Sequence, residues 1–86
     1  MVKKLPFIEV GKLRSFYESL IEDDLQWHWD EEDRTIELIE ETDWLIQFDN
    51  QLPIKITNGI FIKAGEFHRL IKGSGHLKIL VHKHDS

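Results

Sequence analysis

From Leu25 onward, polar and apolar residues alternate with a period of two. Leu25, Trp27 and Trp29 share one face of an extended chain, and Gln26, His28 and Asp30 share the other. The alternation resumes in short runs that predict strands over residues 35–40, 44–49, 54–57, 60–63, 67–72 and 77–82. Turn residues separate them. Residues 30–33 are a charged turn, and residues 49–53 are a turn closed by Pro53, which cannot continue a central strand. Asn58-Gly59 predicts a hairpin between the runs that flank it. Gly65 marks a sharp corner at which φ must turn positive, and His68, three residues on, stands near the mouth of whatever sheet these strands build. Residues 72–75 form a loop.

The first part of the chain has a different rhythm. Leu13, Phe16, Tyr17, Leu20 and Ile21 are spaced as one face of a helix over about residues 12–22. Glu22, Asp23 and Asp24 oppose the dipole at its C-terminal end and help to stop it. Residues 3–10, with Pro6, read as an apolar lead-in and an edge strand. The whole reads as a single domain, residues 1–86, with a helical N-terminal segment over 1–24 and a β unit over 25–83. Many short strands at near-regular spacing indicate a sandwich or barrel.

Composition narrows the class. The 86 residues suffice for one modest core. There is no cysteine, which excludes disulfides and thiolate metal sites and gives no sign of secretion. The N-terminus lacks the apolar run of a signal peptide, and no segment is apolar enough to span a membrane, so the expected setting is cytoplasmic. The formal net charge is −5, with twelve acidic residues and one basic residue between Glu18 and Asp43. A chain this acidic, with no basic stripe, is not expected to bind nucleic acid. The acidic block reads first as a solvated face.

Against this background, residues 25–83 resemble a small cupin. The second cupin motif, G-x5-P-x-G-x2-H-x3-N, is matched at Gly65 and His68, with Thr57, Lys63 and Lys72 at the departing positions. The first, H-x-H-x3-E-x6-G, is matched at His28, with Asp30, Arg34 and Glu41 at the others. The pattern of Leu25, Trp27, His28 and Asp30, then Glu32 to Arg34, then Gln47 to Asn50 and Leu52-Pro53, then His68-Arg69, is also similar to small cupin-like proteins of bacteria and their phages. The resemblance implies a mainly β fold: a cupin-like antiparallel β-barrel (a double-stranded β-helix, or jelly roll) with one short N-terminal helix. It further implies that His28, Asp30, Arg34 and His68 face the lumen.

The expected function is the first of three, with no metal or other cofactor, and the other two stand as alternatives. In the first, the chain is a binding module that holds a small polar or anionic ligand through these four residues, without a metal. Arg34 stands where metal-binding cupins have an anionic ligand, and a guanidinium cannot ligate. In the second, His28, Asp30 and His68 form a two-histidine, one-carboxylate metal set serving an isomerase or oxygenase. In the third, the barrel is a scaffold, Asp30 and Arg34 are a surface ion pair, and His68 is a rim histidine. No catalytic residue is assigned. His76, His82 and His84 are a second metal-ligating candidate near the chain end. Trp27, Trp29 and Trp44 are expected in the core or against the helix rather than as a stacking platform. A homodimer covering Phe7, Ile8 and Val10 is also expected.

Overall fold

The computed structural model describes residues 7–17 and 25–84. The described residues form eight strands: β1 (Ile8–Val10), β2 (Leu13–Phe16), β3 (Asp33–Leu38), β4 (Leu45–Phe48), β5 (Ile54–Lys55), β6 (Ile60–Ile62), β7 (His68–Ile71) and β8 (Leu77–His84). They make two antiparallel sheets. The larger runs β1-β2-β8-β3-β6 and the smaller β5-β4-β7. From β3 to β8 the chain passes repeatedly from one sheet to the other, and only β4 and β5 are neighbours in both sequence and space.

Alternation sets the inner faces. In β8, Leu77, Ile79 and Val81 are buried, and in β3 Ile36 is buried between outward Thr35 and Glu37. Trp44, Ile46 and Phe48 bury the face of the smaller sheet, and the rings of Trp44 and Phe16 join the sheets at 6.0 Å. Fully burying each such aliphatic or aromatic side chain stabilises by about 1.5–3 kcal/mol. The fold is therefore mainly β, as the period-two runs predict. Among the described residues there is no helix, and hence none long and apolar enough to cross a membrane.

The N-terminal helix is corrected. Leu13–Phe16 is strand β2, hydrogen-bonded between β1 and β8, with Phe16 buried and Arg14 on the same inward face. A short apolar run fits either period, and the open edge of β8 decides it. Leu20 and Ile21, the rest of the predicted helical face, lie outside the described residues. The lead-in does hold an edge strand, β1. Its Ile8 and Val10 are exposed, whereas Phe7 turns inward against Phe16, with ring centroids 5.2 Å apart.

The Asn58-Gly59 hairpin is also corrected. β5 pairs with β4 and β6 pairs with β3, so the turn carries the chain between sheets. Asn58 Oδ1 accepts from the Leu38 amide at 2.8 Å and the Gly59 amide donates to the Ile36 carbonyl at 3.0 Å, which fastens the turn to β3. Burial of Ile56 and Ile62 outweighs the local hairpin signal.

One loop predicts a measurable sensitivity. Asp43 receives the Ser74 amide at 2.9 Å and the Ser74 hydroxyl at 2.7 Å, and that hydroxyl bond leads in holding the Asp43 carboxyl below its ordinary value. A Cβ at Gly73 would run into both the carboxylate and the backbone of Asp43. Gly73→Ala is expected to destabilise by about 1–3 kcal/mol, the usual range for overpacking. The urea midpoint measures it, and an unchanged midpoint would show that Asp43 yields freely.

Candidate functional site

The sheets meet around a cavity of about 100 Å³. Its polar end is built by two turns and one bridge. His28 and His68 form an antiparallel pair: the His28 amide donates to the His68 carbonyl at 3.0 Å and the His68 amide returns the bond at 2.9 Å. Residues opposite each other in such a pair point the same way, and the two rings lie 4.3 Å apart. The Gly65 corner is tied to the Asp30–Asp33 turn from two sides. The Gly65 amide donates to the Asp30 carbonyl at 2.9 Å, and the Ala64 amide donates to Asp33 Oδ1 at 2.8 Å. Gly65 has φ +80°, a conformation that costs glycine little. The corner thus fixes Asp30 against His68.

All four candidate residues converge. Asp30, only 8 % exposed, places Oδ1 3.2 Å from Arg34 Nη1 and Oδ2 3.4 Å from His68 Nε2. His68 is buried and His28 lies at the exposed rim. Arg34 also holds Glu32 Oε1, through Nη2 at 3.0 Å and Nε at 3.3 Å, and this contact leads in lowering the Glu32 pKa. The guanidinium is therefore balanced by two carboxylates.

Proton placement follows from the partners. A backbone carbonyl only accepts, so His68 Nδ1–H donates to Glu66 at 2.8 Å and His28 Nδ1–H donates to Gln26 at 3.0 Å. In a neutral ring this leaves Nε2 as an acceptor. Burial pushes the His68 pKa below its ordinary value and the neighbouring His28 adds to this, while the Glu66 bond and the charge of Asp30 oppose it. His68 Nε2 accordingly presents a lone pair to a carboxylate. Asp30 Oδ2 is buried and has no hydrogen-bond partner. One ligand atom from each of His28, Asp30 and His68 lies within 4.8 Å of the other two.

Sequence reasoning missed other residues of the cavity. Arg14 and Phe7 reach it from the N-terminal strands, and Leu25 and Gln26 from the segment before His28. Reading 13–16 as a helix concealed Arg14. Leu25 is buried while Trp27 and Trp29 are 41 % and 52 % exposed, so the face these three were expected to share is split. Residues 25–32 do not form a regular strand, which breaks the alternation. Trp27 lies under the Arg69 guanidinium at 4.9 Å, and of the three tryptophans only Trp44 is in the core.

The second histidine set does not assemble. His76 packs edge-on to Tyr17 at 5.3 Å, His82 Nε2 lies 3.2 Å from Glu37 Oε1, and His84 Nε2 lies 2.7 Å from Thr35 Oγ1. Among the described residues, His28, Asp30 and His68 are the group whose ligand atoms come close enough to share an ion. Compared with protein-family models, curated proteins and solved structures, the chain matches none.

Proposed function

We propose that this chain is a small cupin-like module that holds a divalent transition metal through His28, Asp30 and His68. The single observation that carries the reading is the convergence of acceptors. Asp30 Oδ2 is buried without a donor, His68 Nε2 faces it at 3.4 Å, and His28 completes the group. A buried unpaired oxygen costs about 1–3 kcal/mol, and acceptor atoms crowded within 4.8 Å of one another repel. A cation held among them removes both costs. Both imidazoles are held from behind by backbone carbonyls, which is how metal-ligating histidines are usually oriented.

The strand order supports the cupin-like part. With the His28 bridge counted beside β7, each sheet presents four neighbours: β2-β8-β3-β6, and the His28 segment with β7-β4-β5. Every connection after β2 but one then crosses between sheets, as in a jelly roll. The absence of cysteine favours a cytoplasmic setting.

The metal-free, Arg34-centred pocket has less support from the geometry. Arg34 is engaged by Asp30 and Glu32, and its hold on Asp30 Oδ1 leaves Oδ2 as a single ligating oxygen. A bound metal would supply a Lewis acid with open positions. The chain's own part is to fix three ligands, keep His68 neutral and shut one side of the site with apolar side chains.

The test is elemental analysis and calorimetry of metal-free protein titrated with Co²⁺ and Zn²⁺. Near-stoichiometric binding, lost in His68→Ala with the fold retained by circular dichroism, is the expected result. Binding no tighter than millimolar for both ions would overturn the proposal and favour the scaffold reading.

A further inference from the structure

We infer that the cavity behind the three ligands takes a small organic anion, that the anion binds only after the metal, and that Arg14 recognises its charge. The inference rests on the metal reading above.

The cavity has two chemically distinct parts. One end carries Asp30 and Arg34, and Arg14 enters from β2. The remaining wall is apolar, with Phe16, Ile36, Ile46, Leu70 and Ile79 among its residues. Arg14 is shielded from solvent. Its guanidinium lies 4.4 Å from the Phe7 ring centroid, and its Nε donates to Glu9 Oε2 at 2.6 Å. That contact uses one of the five N–H donors of the group. Among the described residues, the Nη donors have no hydrogen bond to protein. A planar guanidinium braced on an aromatic face, whose outer edge meets no acceptor among the described residues, suits a carboxylate.

Charge sets the order of binding. Arg14 and Arg34 are balanced by three carboxylates, those of Glu9, Asp30 and Glu32. With Lys83, 4.0 Å from Glu32, counted beside them, the metal-free site has three cations against three carboxylates and no net charge. Net charge then gives an anion no hold there. With neutral imidazoles, as metal ligation requires, a divalent ion changes the balance to two net positive charges. The same cavity then attracts an anion.

Size restricts the ligand further. A cavity of about 100 Å³ holds a few heavy atoms, since water's share of liquid volume is about 30 Å³. With an apolar wall opposite a cationic edge, the fitting class is a monocarboxylate of roughly two to four carbons.

The test uses the full chain, metal-free and Co²⁺-loaded, titrated calorimetrically with propionate and with neutral propionamide. Propionate is expected to bind the loaded protein at least tenfold tighter than the metal-free protein, and tenfold tighter than propionamide. Arg14→Gln should weaken propionate tenfold or more without weakening Co²⁺ binding, because losing a positive charge does not disfavour a cation. Arg14→Lys, which keeps the charge and loses the planar fork, should fall between. Equal propionate affinity with and without Co²⁺, or an Arg14→Gln variant that binds propionate like the parent, overturns the inference while the metal reading stands. Failure of Co²⁺ itself to bind overturns both.

Discussion

Trp44→Ala should leave little or no folded protein at room temperature. Trp44 is completely buried, stacks obliquely on Phe16 across the two sheets, and donates its indole N–H to the Gly75 carbonyl at 3.1 Å. Truncating a buried aromatic to alanine costs about 3–5 kcal/mol. Small domains sit near the lower end of the usual 5–15 kcal/mol of total stability, because they bury about 60% of their surface at this size. The loss therefore consumes most of what is available. Trp44→Phe separates the two contributions. It retains much of the packing but strands the Gly75 carbonyl, at a cost of about 1–3 kcal/mol. Urea unfolding followed by far-ultraviolet circular dichroism measures both. A Trp44→Ala midpoint close to the parent's would mean that the sheets are not joined through this ring.

Asp30→Asn should do something unusual for a buried ion-paired residue: remove the proposed metal binding while sparing the metal-free fold. The amide can keep its oxygen on Arg34 Nη1 and turn its NH₂ toward His68 Nε2, converting an acceptor–acceptor contact at 3.4 Å into a donor–acceptor pair. The gain at His68 offsets the weaker bond to Arg34, which still has Glu32. The apparent melting temperature of the metal-free variant should stay within a few degrees of the parent's, or rise. Metal affinity should fall at least about a hundredfold, or about 2.7 kcal/mol, because the anionic ligand is gone. A site shaped by binding rather than by stability behaves in this way. If Asp30 were merely structural, Asp30→Asn would lower stability by several kcal/mol through the disrupted buried pair. Calorimetric titration with Co²⁺ and a thermal melt distinguish the two cases.

Where burial is one-sided and the strand is regular, the chain can be read directly. The alternation around Ile36 and along Leu77, Ile79 and Val81 is visible because each second residue must enter the core. The turn at Gly65 is legible because a positive φ selects glycine. The convergence of His28, Asp30, Arg34 and His68 was reached through the cupin resemblance, since strand spacing alone does not tell which strands become neighbours. The failures share that cause. Asn58-Gly59 carries a strong local hairpin signal, yet its two flanks belong to different sheets. Leu13 and Phe16 fit a helical face equally well, and only β8, distant in sequence, makes them a strand. The exposure of Trp27 and Trp29 follows from irregular backbone beside a single bridge, which no periodicity describes. Arg14 had no signal at all: its place in the wall depends on a cavity that exists only once β2 has docked.

The position of β8 has a consequence for synthesis. It lies between β2 and β3 and supplies Leu77, Ile79 and Val81 to the core, yet it is the last of the eight strands to leave the ribosome. Until then, β2 has only the short β1 beside it, and the inner faces of β3 and β6 lack their middle. Translation proceeds at about 5–20 residues per second, so the growing chain spends seconds with its apolar residues uncovered and its central template missing. Closure must wait for the final strand to insert between partners made long before it. The stretch between Glu18 and Asp43 carries twelve acidic residues and one basic residue, and like charge of that density opposes the association of incomplete chains during that wait.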